Sequence, residues 1–419
     1  MSGFFTFVGQ LKETTLTKKL RLAVTAMLAV VLFIGHGYAQ TNSTNRVSKP
    51  WYETISLRGY MQVRYNRLLE TNPKLKCEQC DRSWGEGGSF SIRRARLIFS
   101  GNLSERLYFY IQPDFGSSAG STLNIFQLRD AYFDLGLNKK STMRIRIGQS
   151  KVPFGFENMQ SSQNRLPLDR ADALNSAVSN ERDLGAFFYW APEEARKLYA
   201  GFIKDNEKGS GDYGVFGIGI YNGQTANRPE QNDNLHIVSR LSIPIKIGTQ
   251  FIEPGIQGYM GKFVVPTDTR STSVKSERNF EFNEKRLASS FVLYPRPLGI
   301  LAEYNIGKGP RYNPSTDSIN LRHLSGGFIT ISYKISGKGK EEVLLPFTRL
   351  QAYDGGKKHE LDARSYRVRE LEAGLEWQMN KQFELTVTYV LSKRQFEDNR
   401  IKSNIQQGRL LRIQTQLNF

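Results

Sequence analysis

The chain has 419 residues, with 58 Lys+Arg against 40 Asp+Glu and a formal net charge of +18. Its mean hydropathy is -0.46, and only 39% of it is apolar, which excludes a bundle of transmembrane helices, since each needs about 20 consecutive apolar residues. A membrane β-barrel stays open, because lipid-facing residues alternate with polar lumen-facing ones and average to a polar chain. Four His and two Cys argue against a His- or Cys-rich metal site.

The one long apolar run comes first in the chain. Lys18, Lys19 and Arg21 precede the uncharged stretch Leu22–Ile34, and the small residues around Ala39 follow it. A basic start, a short apolar middle and a small-residue exit describe a secretory signal. Residues 1–39 are therefore read as a signal peptide and 40–54 as a short periplasmic segment. Cleavage removes Lys12, Lys18, Lys19, Arg21 and Glu13, which lowers the net charge from +18 to +15.

From Ile55 onward the pattern has period 2, the primary signal of a strand. In the first strand Ile55, Leu57, Met61, Val63 and Tyr65 share one face, opposite Arg58, Gln62, Arg64 and Asn66. In the second, Leu97 and Phe99 oppose Arg94, Arg96 and Ile98. In the strand that begins at Met143, Ile145 and Ile147 oppose Arg144 and Arg146. Further strands run from Leu371 to Met379, from Phe383 to Leu391, and from Leu411 to the terminal Phe419.

Connection lengths alternate as well. Short turns are expected near 102–105, 138–141, 191–196, 295–297 and 380–382. Long loops are expected near 70–88, 156–183, 223–234, 266–283, 310–325, 355–367 and 397–409. Outer-membrane barrels have short periplasmic turns and long external loops. The expected fold is thus an all-β transmembrane antiparallel barrel of about 16 strands over residues 55–419. That leaves about 24 residues per strand and connection, against the ~9–11 needed to cross a bilayer.

Charge on the lipid face near the midplane costs about 2–4 kcal/mol, so the polar face of each strand is assigned to the lumen. Arg58, Arg94, Arg96, Arg144, Arg146 and Arg412 then point inward, together with Asp114, Glu372 and Glu376. Arginine suits an anion pathway because its planar fork grips phosphate oxygens bidentately. The plainer reading is that each lumenal Arg only pairs with a lumenal carboxylate.

Several segments resemble the phosphate-selective porin O/P family. They are Ser89–Gly101 (SFSIRRARLIFSG), Leu128–Phe133 (LRDAYF), Ile145–Glu157 (IRIGQSKVPFGFE), Glu181–Gly185 (ERDLG) and the final Asn418-Phe419. The resemblance implies a homotrimer of 16-stranded barrels in the outer membrane of a Gram-negative bacterium. It also implies a third external loop, near 156–183, folded inward to narrow the pore. The wall residues it implies are Arg94, Arg96 and Arg144, and the loop-side ones Lys151, Arg165 and Arg170; Arg182, in the same loop segment, joins the expected pore-lining set. A terminal Phe, here Phe419, resembles the signal read by the barrel-assembly machinery. The third loop also carries Asp169, Asp172, Glu181 and Asp183, so its charge is near balance and a general anion bias is expected.

The expected function is passive diffusion of small hydrophilic solutes with a preference for anions such as phosphate. It requires no cofactor and no metal, and involves no nucleic acid. The alternatives are an outer-membrane barrel enzyme of protease or lipase type, for which no nucleophile–base pairing stands out, and a non-conducting structural or adhesive barrel. Cys77 and Cys80 are read as a local disulfide in the first long loop. Outer-membrane lipids are a further expected partner, through Lys204, Lys208, Lys357 and Lys358 placed in external loops.

Overall fold

A computed structural model describes residues 50–69, 75, 88–119, 122–276, 278–337, 341–402 and 404–419. The signal-peptide reading and Cys77 and Cys80 lie outside the described residues. The alternation becomes sixteen long antiparallel strands. They are β1 Ser56–Leu68, β2 Ser89–Ser104, β3 Leu107–Ala119, β4 Thr122–Gly136, β5 Met143–Lys151, β6 Arg182–Trp190, β7 Phe216–Tyr221 and β8 His236–Ser242. The second half comprises β9 Gln250–Val264, β10 Glu281–Leu293, β11 Leu298–Asn313, β12 Ser318–Tyr333, β13 Val343–Gly356, β14 Ser365–Gln378, β15 Phe383–Glu397 and β16 Asn404–Asn418.

Each strand pairs with the next, and β1 pairs with both β2 and β16, so the sheet closes and no edge is left. The seam runs to the last residue: Gly59 N donates to Phe419 O (2.7 Å) and Phe419 N to Gly59 O (3.0 Å). Position 59 must be small there, since a Cβ would lie 2.6 Å from the Phe419 ring and 2.6 Å from Arg96 O.

Burial alternates along the strands, most regularly in β10 and β15. The outward set is apolar: Leu57, Ile111, Phe133, Ile147, Ile218, Ile256, Leu287, Ile306, Leu350 and Leu391 are all exposed. Such a continuous apolar outer band suits lipid rather than water. Near the end where β1 begins and β16 finishes, the barrel's termini end, Trp190, Phe216, Tyr333 and Phe419 are exposed as an aromatic girdle.

Three expected connections are corrected, one of them the long loop at 397–409, which spans only 398–403 because β16 begins at Asn404. The short turn at 191–196 is a connection of 191–215 that contains helix α3, Glu193–Lys204. The long loop at 310–325 shrinks to 314–317, because β11 and β12 extend through most of it.

The lumen is filled rather than empty. The third loop, 152–181, is almost wholly buried and contains the short helices α1 Phe156–Met159 and α2 Asp172–Asn175. It crosses the barrel and packs Ala171, Ala173, Leu174, Ala177 and Val178 among Phe187, Tyr259, Phe328 and Tyr366 from the wall. From the termini end α3 enters as well. Its stripe Ala195, Leu198, Tyr199 and Phe202 meets Phe251, Val292 and Tyr294 of the wall and Phe156 of the third loop.

Candidate pore constriction and vestibule

The third loop is held against the far wall by its own acids. Glu157 pairs with Arg349 of β13 (3.1 Å). Asp169 pairs with Arg64 of β1 (3.1 Å) and with Arg412 of β16, and Arg93 stands 3.6 Å away. Asp172 pairs with Arg394 of β15 (3.0 Å) and with Lys357 (2.5 Å). Glu303 of β11 accepts from the backbone N–H groups of Phe156 (2.6 Å) and Glu157 (2.7 Å), satisfying the free donors at the start of α1. The loop's near-balanced charge is thus spent on the far wall, where each carboxylate neutralises a guanidinium contributed by a strand.

Arg94, Arg96, Arg165 and Arg170, four of the expected site residues, belong to this docking apparatus. Arg94 donates to Gln62 (2.9 Å). Arg96 pairs with Asp114 (2.7 Å) and donates to Tyr60 and Ser162. Arg165 holds the carbonyls of Pro167 and Leu168, and Arg170 pairs with Glu181 (2.8 Å). Burial raises the Glu181 carboxyl, but the guanidinium groups of Arg170 and Arg182 outweigh it and hold it at about 2.

The other five, Arg58, Arg144, Arg146, Lys151 and Arg182, line a cavity of about 510 Å³ on the side formed by β1–β6. Met159, Ser161, Gln163 and Asn164 of the third loop bound it on the long-loop side, and Asp212 and Tyr213 of the 191–215 connection bound it elsewhere. Seven basic side chains face four acidic ones, since Arg106 and Arg196 join the five, opposite Glu105, Asp130, Asp134 and Asp212.

Most of these cations are partly neutralised. Arg146 grips both oxygens of Asp134 (2.7 and 2.9 Å) and lies 3.9 Å from the Tyr132 ring centroid. Tyr132 in turn stacks on Tyr110 at 5.2 Å. Arg144 and Arg196 share Asp212 (3.0 and 2.9 Å), and Arg182 bonds Asp130 (2.9 Å) and Glu181 (3.0 Å). Lys151 donates to the carbonyls of Met159 (2.8 Å) and Gln160 (2.7 Å), which ties the first turn of the loop to the end of β5. Among the described residues Arg58 and Arg106 carry no ion pair, and both face this vestibule near the termini end.

Sequence reading missed Arg106, Arg196 and the tyrosines. Tyr108, Tyr110 and Tyr132 were visible as the inward partners of Phe109, Ile111 and Phe133, but no charge pattern singled them out. The four lysines assigned to external loops are also corrected. Lys357 and Lys358 are buried inside the barrel on Asp172 and Glu284, and Lys208 is buried on Glu376 (2.5 Å). Lys204 ends α3 at the termini end.

Comparison with solved structures finds the same barrel in proteins of very different sequence. The outer membrane channel DcaP of Acinetobacter baumannii is 12% identical, with a TM-score of 0.53 over 87% of this chain and 97% of that one. Salmonella typhi OmpF, in complex with daunomycin, is 12% identical, with a TM-score of 0.52 over 87% and 97%. The anion-selective porin from Comamonas acidovorans is 10% identical, with a TM-score of 0.50 over 87% and 99%. At these identities the likeness is one of fold. No curated protein matches the sequence. The profile of phosphate-selective porin O and P, in contrast, matches residues 76–241 and 266–419. With its closed sixteen-strand barrel and apolar outer band, the chain is an integral outer-membrane protein and belongs to the phosphate-selective porin O and P family.

Proposed function

We propose that the protein is a passive porin that favours small anions, phosphate among them, assembled as a homotrimer after export directed by residues 1–39. The termini end faces the periplasm and the long loops face outward. The family and the fold favour a channel over an enzyme. The observation that carries the anion preference is the vestibule, where seven cations face four carboxylates inside a low-dielectric wall. Such a wall focuses the field of the excess charge and raises the local anion concentration.

Each residue's part follows from its partners. Arg58 and Arg106, free of carboxylates among the described residues, attract the anion to the vestibule. Arg144, Arg146 and Arg182 are each paired with a carboxylate, so they bind an anion weakly enough to release it, as conduction requires. Lys151, next to the loop, is the last cation before the constriction. Arg94, Arg96, Arg165 and Arg170 act one step back, by fixing the loop that sets pore width. The test is the reversal potential of reconstituted channels in a KCl gradient. An anionic sign supports the reading, and a cationic sign or absence of conductance overturns it.

A further inference from the structure

The outer wall has a feature that solute passage does not require. Lys285 of β10 is the cross-strand partner of Lys308 of β11, and Lys308 is the partner of His323 of β12. All three side chains lie on the outward face, on the long-loop side of the apolar band. Like charges directly opposite each other on a sheet are destabilising. Charge on the lipid side of a barrel is also unfavourable away from the interfaces. Yet among the described residues none of the three has an ion-pair partner. The nearby outward carboxylate, Asp354, is already taken by Arg311 and by Arg367 (2.9 Å). The pattern repeats four strands on, where Arg369 of β14 faces Lys393 of β15, both exposed and without an ion pair among the described residues.

Directly below each cluster the wall is grooved. One groove, of about 950 Å³, adjoins Lys285, Lys308 and His323, with Ile237, Met260 and Leu287 among its lining. It is deep because Ser239, Gly258 and Ser325 place small residues where the band elsewhere has Ile or Leu. A second, of about 820 Å³, adjoins Arg369 and is lined by Ala302, Tyr304, Gly327, Ile329 and Leu350. Two apolar channels, each capped by cations at the same end, match a molecule with anionic groups at one end and several hydrocarbon chains at the other.

We propose that this outer face binds one phosphorylated, multiply acylated lipid of the outer leaflet. Its headgroup phosphates bridge Lys285, Lys308 and His323 on one side and Arg369 and Lys393 on the other, and its chains lie in the two grooves. The phosphate supplies the counter-charge that the cross-strand cations lack, and the ammonium of Lys is a point charge well suited to it. Small residues under the chains let acyl carbons approach the backbone and displace looser lipid. The site lies on β8–β15, away from the vestibule on β1–β6, so it is independent of the transport reading.

The test uses the full-length protein, folded in non-ionic detergent, with a bisphosphorylated diglucosamine glycolipid as probe and native mass spectrometry as readout. Retention of one glycolipid per barrel is expected, and its loss overturns the proposal. Replacing Lys285→Gln and Lys308→Gln together should weaken retention by roughly tenfold or more, as expected for two cations near an anionic headgroup. Single-channel conductance should be unchanged, which reports that the variant folds. The dephosphorylated glycolipid, which needs no variant, should be retained as weakly by the native protein. Equal retention of the two lipids overturns the phosphate contact. Displacement of the glycolipid by millimolar inorganic phosphate would show a free-anion site instead, and would equally overturn the lipid assignment.

Discussion

Replacing Asp169→Asn should release the middle of the third loop and turn the channel more anionic. Asp169 pairs with both Arg64 and Arg412, and its side chain is only 11% exposed, while Arg64 is fully covered. A pair of unit charges at the 3.1 Å of Arg64–Asp169 is worth about 5 kcal/mol at an effective dielectric of ~20. Desolvation offsets much of that, so removing one partner of the buried pair is expected to cost about 3–5 kcal/mol. Asn keeps the shape and one acceptor oxygen but removes the negative charge that Arg64 and Arg412 share. The loop then gives up its contact with β1 and β16. Single-channel recording in planar bilayers should show larger or flickering conductance, and the reversal potential in a KCl gradient should move further toward the anion value. Molar salt, where the Debye length is about 3 Å, should mute the selectivity shift but not the conductance change. A correctly folded Asp169→Asn channel with native conductance and native reversal potential would refute the reasoning.

Other consequences are equally direct. Arg58→Gln with Arg106→Gln lowers the vestibule's charge excess from +3 to +1. Anion preference should drop while thermal stability stays within about 0.5 kcal/mol, since neither carries an ion pair among the described residues; unchanged selectivity would show that these cations do not steer. Lys208→Met strands the buried Glu376 carboxylate, 2.5 Å from the lysine nitrogen in the native barrel. It should loosen the 191–215 connection, and protease added from the termini side should then cut that segment faster than in the native protein. Glu181 is held at about 2 by Arg170 and Arg182, below the ordinary glutamate value of about 4.3. Its stabilising contribution is therefore fully present above that ordinary value and is lost only as pH falls through about 2. Conductance should be constant from pH 7 to pH 4 as far as this group is concerned. A transition near pH 4.3 that Glu181→Gln abolishes would contradict it.

Much of the fold was legible because a lipid-facing wall imposes a period of two on every strand. The inward placement of Arg94, Arg96, Arg144, Arg146 and Arg412, and of Asp114, Glu372 and Glu376, follows from that alone. The position of the third loop followed from the gap between two strand patterns. Its docking did not, because Asp169 with Arg412 and Asp172 with Arg394 are joined across more than two hundred residues, and local pattern carries no such pairing. Arg94 and Arg96, expected on the wall, and Arg165 and Arg170, expected on the loop side, bond Gln62, Asp114 and Ser162, the Pro167 and Leu168 carbonyls, and Glu181, contacts that only the third dimension reveals. The helix Glu193–Lys204 is another matter. Pro192, acids in the first turn, a basic last residue and apolar positions 195, 198, 199 and 202 form a complete helical signal. The strong strand rhythm on either side masked it. The outward cations were hidden in the same way, because a basic residue on a strand reads as lumenal until register shows which face it takes.

The central claim is that a basic vestibule beneath an inward-folded loop makes this barrel an anion-favouring pore. The most direct measurement is the zero-current potential of the full-length, reconstituted protein across a planar bilayer with a KCl gradient. A potential on the chloride side of zero, shrinking in Arg58→Gln/Arg106→Gln, is the predicted result. A closed barrel, or one whose potential lies on the potassium side, would contradict the account.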